Sequence, residues 1–477
     1  MSIRLIVLVV GAAAVLWSMV RWRQAVQIGM VLVVLEGAIR KWLVPGAQDL
    51  AYFAKDVFFL GAYLGYLRSP ARLRFPPARL PALYVTLGAS AILGLLEIFN
   101  PELPNVLVGI LGVKSYFFYV PLLFVLPATF RSDVELGRFL RRYALLSIPV
   151  GLLALAQFFS PSSSALNTYA RASDEGYVTT FGSSNFVRVT GTFSYISGYA
   201  SYLFATAILI LAILGTIGWR FKRNLWIYLA LGMTLLGMLM TGSRGPVFTL
   251  ILLFPLYWWL TVVRERQGGA TLPRLVLALG LLAVFLSYAG PQAIGAFEGR
   301  AMGGEDTLSR FTAPFTSPYE VLPDVGLFGY GIGSTHQTAT AVTKGIVPYS
   351  WLRGLEVEVE SGRVMIELGP VGFVLVYFAR IYLIFFAFRQ VLALSTTFHR
   401  AVATAAFLFV LAELPGGVVF DLTTDVYYWF FTALLLTVMR LDRQFQPPAK
   451  GVPAAIRPVP LALATNRTLP PVPSPAR

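Results

Sequence analysis

Stretches of about 20 mostly apolar residues, the length that crosses a bilayer as a helix, recur along the chain between short polar or Pro/Gly-containing breaks. They fall at roughly 4–20, 24–43, 50–67, 81–99, 113–130, 143–160, 196–218, 225–240, 246–263, 272–290, 364–388, 401–419 and 424–440. The pattern predicts an all-α polytopic integral membrane protein with about 12–13 transmembrane helices. Two polar interruptions are longer than a turn: a small loop at 161–195 and a large one at 291–363. Beyond 443 the apolar pattern stops, and 444–477 is rich in Pro, Ala and Arg with no helical period. Residues 1–443 thus read as a transmembrane domain that includes both loops, and 444–477 as a disordered cytoplasmic tail.

Positive charge orients the spans, because cytoplasmic connections carry the excess of Lys and Arg. Arg68, Arg72, Arg74 and Arg79 crowd one connection, Arg131, Arg138, Arg141 and Arg142 a second, and Arg220, Lys222 and Arg223 a third. Arg264, Arg266 and Arg274, then Arg389 and Arg400, mark two more. Alternation puts 161–195, 241–245, 291–363 and 414–423 outside, which in a bacterium is the periplasm. Counting back places the N-terminus outside as well, unless one early segment is re-entrant. Residues 4–20 lack a small-residue cleavage site, so the first helix reads as a retained anchor.

Composition agrees with a lipid-solvated chain. Of 477 residues 57% are hydrophobic and 13% charged, against about 25% charged in soluble domains. The absence of cysteine removes disulfides and thiolate chemistry, and two histidines, His336 and His399, leave no basis for a histidine-rich metal site. No metal or cofactor is expected. The formal charge of +15 comes from Arg and Lys scattered between apolar segments, not from a continuous basic stripe, so nucleic acid is not an expected partner.

Chemistry-bearing residues collect in the large loop, among them Arg300, Arg310, Tyr319, Tyr330, His336, Trp351, Glu356, Glu358, Glu360 and Arg363. The run Gly326-Leu-Phe-Gly-Tyr-Gly-Ile-Gly333 lacks the strand and acidic residue of a nucleotide site, so it reads as a tight turn in an ordered loop. Thr241-Gly-Ser-Arg-Gly-Pro246 joins two apolar segments. Its Arg244 is either a bidentate phosphate ligand or an interfacial arginine reaching lipid headgroups. Glu356, Glu358 and Glu360 alternate with Val and would share one face of an extended strand. They are either clustered carboxylates, one of which could act as a base, or a solvated stretch paired with Arg353 and Arg363. Trp351, Tyr319 and Tyr330, away from any span end, suit a sugar-stacking surface or the packing of the loop itself. In the N-terminal third, Lys55 and Asp56 read as parts of a buried network with Glu36, Arg40 or Lys41.

Four pieces in order resemble the O-antigen ligase and polymerase superfamily of membrane glycosyltransferases. They are Arg188-Val-Thr-Gly-Thr-Phe193, Ser243-Arg244-Gly245, Gly329-Tyr-Gly-Ile-Gly333 and Glu367-Leu-Gly-Pro-Val-Gly372, spread over roughly 185–440. The Glu36-Gly-Ala-Ile-Arg-Lys-Trp42 segment is similar to that of uncharacterised or exopolysaccharide-linked members. The resemblance implies metal-independent, inverting transfer of a glycan from an undecaprenyl diphosphate carrier to a glycan acceptor at the periplasmic face of the inner membrane. Other implied partners are membrane lipids and a chain-length regulator. Arg244 matches the family's arginine and would clamp the diphosphate, with Arg188, Arg300, Arg310 and Arg363 as further candidates. Ligases of the family carry a His at the position where this chain has Glu358. Glu358 or Glu360 would then be the base, with His336 the alternative, and the departure favours a polysaccharide polymerase over an O-antigen ligase. A transporter or flippase of lipid-linked glycan is the reading from another class, but no pair of matching interrupted helices supports it. A non-catalytic scaffold subunit is a third.

Overall fold

The computed structural model describes residues 3–75, 78–170, 178–181, 186–217, 224–263, 291–302, 307–336 and 359–445. Among them the chain is helical, with one isolated β-bridge, Thr180 to Val187. The helices are α1 (Ile3–Val20), α2 (Trp22–Ala38), α3 (Ala54–Arg68), α4 (Pro81–Glu97), α5 (Val106–Phe117), α6 (Leu122–Thr129), α7 (Asp133–Leu145) and α8 (Ser147–Phe159). They continue as α9 (Ile196–Ile217), α10 (Leu225–Thr241), α11 (Arg244–Trp258), α12 (Pro291–Met302), α13 (Thr307–Val321), α14 (Glu360–Ala393), α15 (Thr397–Ala412) and α16 (Leu422–Phe445).

Each predicted span within the described residues contains helix, two of them only in part, and the predicted span at 272–290 lies outside them. Among the described residues four helices are long and apolar enough to cross a membrane: Asp133–Phe159, in which α7 and α8 run together, Ile196–Thr216, Glu360–Ala393 and Leu422–Arg443. The pair Val106–Phe117 and Leu122–Thr129, bent by 42°, makes a fifth if it is one span. Arg4–Val20, Pro81–Glu97, Leu225–Thr241 and Thr397–Ala412 are apolar but shorter.

Two helices form the centre. The apolar windows of Ile196–Thr216 and Leu422–Arg443 are each 89% buried, against 28% for that of Glu360–Ala393. The centre is aromatic: Tyr199, Tyr202, Phe409, Tyr427, Tyr428, Phe430 and Phe431 are fully buried, with Phe409 and Phe431 stacked at 4.5 Å. Around it α15 packs on α9, α14 and α16, α6 packs on α16, and α3 packs on α1 and α2.

Three expectations change. The segment expected as one span at 113–130 is broken between Phe117 and Leu122, where Pro121 lacks the N–H a continuous helix would need. Glu360 opens a helix instead of ending a strand, while Glu356 and Glu358 lie outside the described residues. The span expected at 401–419 ends at Ala412, because Pro415, Gly416 and Gly417 turn the chain, with φ of 158° and 88° at the glycines. The large polar loop contains two helices, α12 and α13; α12 lies against α10 and α13 against α14.

Candidate functional site

The glycine-spaced turn and the long helix α14 build one another. Gly369 has φ 63° and ψ −175° inside α14, dividing it into two helices, and Pro370 follows without an N–H to bridge the break. The opened carbonyls of Ile366 and Glu367 accept from Tyr330 N (2.8 Å) and Gly331 N (3.1 Å), so the turn closes hydrogen bonds the kink leaves free. The other side of the turn lies on α5, where a Cβ on Gly112 would stand 2.5 Å from Gly333 N. Asn100 Nδ2 donates to Gly329 O at 3.3 Å.

From this turn the chain enters a buried polar cluster. Glu367 Oε1 accepts from the backbone N–H (3.0 Å) and the hydroxyl (2.5 Å) of Thr335. Arg363 Nε donates to the same hydroxyl at 3.2 Å, its Nη2 donates to Thr335 O, and its guanidinium lies 3.7 Å from the Phe420 ring centroid. His336 is buried beside them. Burial first, then the positive charges of Lys114 and Arg363, hold its imidazole down at about 4, so it is neutral at physiological pH.

A second meeting joins Arg188 to the Thr241–Arg244 turn. Arg188 Nε donates to Thr241 O at 2.8 Å and Val189 N to Met240 O at 3.1 Å. Gly242, left-handed at φ 64°, ends α10. Arg244 is then the first residue of α11, half-buried. The segment that follows Arg188 is gripped by the N-terminal third: Lys41 Nζ donates to Thr190 Oγ1 (3.0 Å) and Gly191 O (2.9 Å), and Arg40 Nη1 to Ser194 Oγ (2.9 Å). Thr192 Oγ1 donates to Val34 O at 2.5 Å, and Gln157 both donates to Gly191 O and accepts from Gly191 N.

Several buried charges of the N-terminal third are paired. Lys55 bridges to Glu36, and Arg40 lies 3.6 Å from the same carboxylate. Asp56 meets Lys114 at 2.8 Å and accepts from the Tyr119 hydroxyl at 2.5 Å. The expected network around Lys55 and Glu36 is present, but the partner of Asp56 comes from α5, not from the Arg40–Lys41 stretch. A third acidic group surrounds the 413–421 turn. Glu360 accepts from Arg380 Nη2 (2.5 Å) and from Val419 N (2.6 Å), so both its oxygens are engaged. Asp421 accepts from Thr423 N at 2.9 Å and from Ser201 Oγ at 3.4 Å. Burial, then the nearby Glu360 and Asp421 carboxylates, raise Glu413 to about 8.

These contacts link into one end of the bundle. Phe193 leads to Gly198, where a Cβ would stand 2.9 Å from Thr423 Oγ1; Asp421 and Val419 lead to Glu360, and Phe420 leads to Arg363. The opposite end is tied separately, by His399 between Asp133 and Asp442 at 2.9 Å each and by Arg440 to Phe130 O. The four sequence pieces singled out for their order therefore lie at the same end.

No family model matches the chain, and no curated protein matches it.

Of the predicted site residues, Arg188, Arg244, His336, Glu360 and Arg363 are at this end. Arg363 and Glu360 are spent on internal contacts, the first clamping Thr335 and the second paired to Arg380. Tyr330 donates its hydroxyl to Asp324 O at 2.8 Å, and Tyr319 on α13 is 76% exposed. Arg300 falls in α12 and Arg310 in α13; Glu358 and Trp351 lie outside the described residues. Lys114, Arg380 and Asp425 were not singled out by sequence, although each is an ionisable residue in an apolar helix, a signal that points to function or pairing. Among the described residues no group of His, Asp and Glu could hold a metal ion.

Proposed function

We propose that this chain polymerises or transfers undecaprenyl diphosphate-linked oligosaccharide repeats, as a metal-independent, inverting glycosyltransferase. The chain would be a multi-pass protein of the bacterial inner membrane with about 12–13 spans, its reactive end facing the periplasm. The observation that carries this reading is the convergence, at one end of the bundle, of Arg188 with the Thr241–Arg244 turn and of the Gly329–Gly333 turn with the Gly369 break. Segments about 180 residues apart, matched to one family by their order, spacing and hydropathy, have a shared place in the fold.

The reaction needs a hydroxyl of the acceptor to attack the anomeric carbon as the bond to the diphosphate breaks. The hydroxyl proton goes to a base, and the lipid diphosphate leaves with its charge held by cations. Arg244, at the outer tip of α11, would hold the diphosphate, since a guanidinium matches phosphate oxygens in a bidentate way. Arg188 positions it by holding Thr241. Glu358 remains the base of choice at the family's His position, because Glu360 is ion-paired and His336 is buried. Tyr319 offers an exposed aromatic face for a sugar.

The test compares cells carrying wild type, Arg244→Ala and Glu358→Gln at matched membrane expression, with lipid-linked and surface glycans resolved by size. Loss of long polymer with accumulation of single lipid-linked repeats in both variants is the expected result. Normal polymer, normally attached, in both would overturn the assignment of these residues.

A further inference from the structure

At the end of the bundle away from the candidate site, α7, α9 and α15 leave a cavity of about 480 Å³ between them, within the roughly 300–1,000 Å³ of small-molecule sites. Its wall is apolar, with Leu209 and Ile213 from α9 and Phe398 and Val402 from α15, and its mouth carries Arg138 and Arg141 from α7. Both arginines are exposed, one helical turn apart on one face, and no carboxylate among the described residues forms an ion pair with either. Among the described residues that line it, the acid is Asp133, and it is turned to His399 Nε2 at 2.9 Å.

Two like charges held side by side repel unless an anion lies between them, and an apolar cavity between helices that lie in a bilayer meets acyl chains, not water. Basic pockets of this kind between transmembrane helices take anionic lipid headgroups. We propose that this cavity binds one anionic phospholipid, its phosphate bridged by Arg138 and Arg141 and an acyl chain lying along Leu209, Ile213, Phe398 and Val402. Leu209, Ile213 and Val402 are buried at the floor of the cavity and Phe398 is half-buried, so a soluble anion would use the arginines and leave the space above that apolar floor unfilled. A zwitterionic lipid would fill the wall and gain less from the arginines, because its own ammonium offsets the phosphate.

The experiment uses the full chain in nanodiscs of phosphatidylcholine, titrated with phosphatidylglycerol and read by the lipid retained on the intact protein in native mass spectrometry. Three variants are compared with wild type: Arg138→Gln with Arg141→Gln, Gly137→Leu, and Arg131→Gln as a control outside the cavity. Gly137 lines the cavity, and a Cβ there meets only Phe398 at ordinary distance, 3.7 Å, so the leucine fills the space without displacing backbone. Retention of phosphatidylglycerol should fall about thirtyfold in the double variant, roughly the sum of two surface arginines. It should fall as well in Gly137→Leu, where both arginines remain, and stay unchanged in Arg131→Gln. Monodisperse elution and an unchanged melting temperature identify the variants as folded. Undiminished retention in the double variant or in Gly137→Leu would overturn the proposal. So would equal retention of phosphatidylcholine, or occupancy by a polyprenyl phosphate that phosphatidylglycerol does not displace.

Discussion

Gly329 and Gly369 are in backbone contact across 40 residues of chain: a Cβ on Gly329 would stand 2.6 Å from Gly369 N and 2.6 Å from Ile366 O. Both have positive φ, 78° and 63°. The turn and the helix break are thus one unit: a side chain on Gly329 would displace Gly369, and one on Gly369 would collide with the carbonyls of Leu327 and Gly326 in the turn.

Gly329→Ala should separate the turn from the kink. The left-handed conformation alone costs a non-glycine residue about 1–2 kcal/mol, and the collision with backbone adds to it, since backbone cannot swing aside. Limited proteolysis of the purified protein should show faster cleavage within 326–336 in this variant. Gly326→Ala is the control, because a Cβ there meets open space.

Thr335→Val removes one hydroxyl that serves two charged residues. Glu367 loses its 2.5 Å donor and Arg363 Nε its 3.2 Å acceptor, while the backbone of Thr335 still holds both. The expected cost is about 1–3 kcal/mol, seen as a lower melting temperature in detergent. Thr335→Ser, which keeps the hydroxyl, should recover most of it.

Lys114→Met leaves the Asp56 carboxylate buried without its cation, a loss of about 3–5 kcal/mol in sites of this kind. Asp56→Asn in the same chain should return part of that loss, because Asn is neutral and still accepts from Tyr119. Melting temperatures of the two single variants and the double variant measure the coupling. Additive effects would mean that the pair contributes nothing as a pair.

Two groups near the candidate site make opposite contributions to stability against pH. His336 is lowered from 6.5 to about 4, so its contribution is complete above 6.5 and is lost as pH falls through about 4. Glu413 is raised from 4.5 to about 8, so its contribution is complete below 4.5 and is lost as pH rises through about 8. His336→Asn should flatten the acid side of a melting-temperature profile between pH 6.5 and 4, and Glu413→Gln the alkaline side between pH 4.5 and 8.

The apolar segments were legible in the sequence because a span is a local property: about 20 apolar residues must satisfy their own backbone as a helix wherever they occur. The tight turn at 326–333 and the pairing of Lys55 with Glu36 could also be anticipated, the first from its glycine spacing and the second from charges placed in apolar surroundings. Tertiary structure alone decided which segments meet. Nothing in the local pattern links Lys114 to Asp56, Arg188 to Thr241, or Gly329 to Gly369, because each pair is formed across helices and its members are chosen by packing. The same holds for the roles of Glu360 and Arg363. In sequence they are charges at the edge of a polar loop; in the fold, Arg380 and Thr335 engage them, since a charge buried away from water needs a partner within reach.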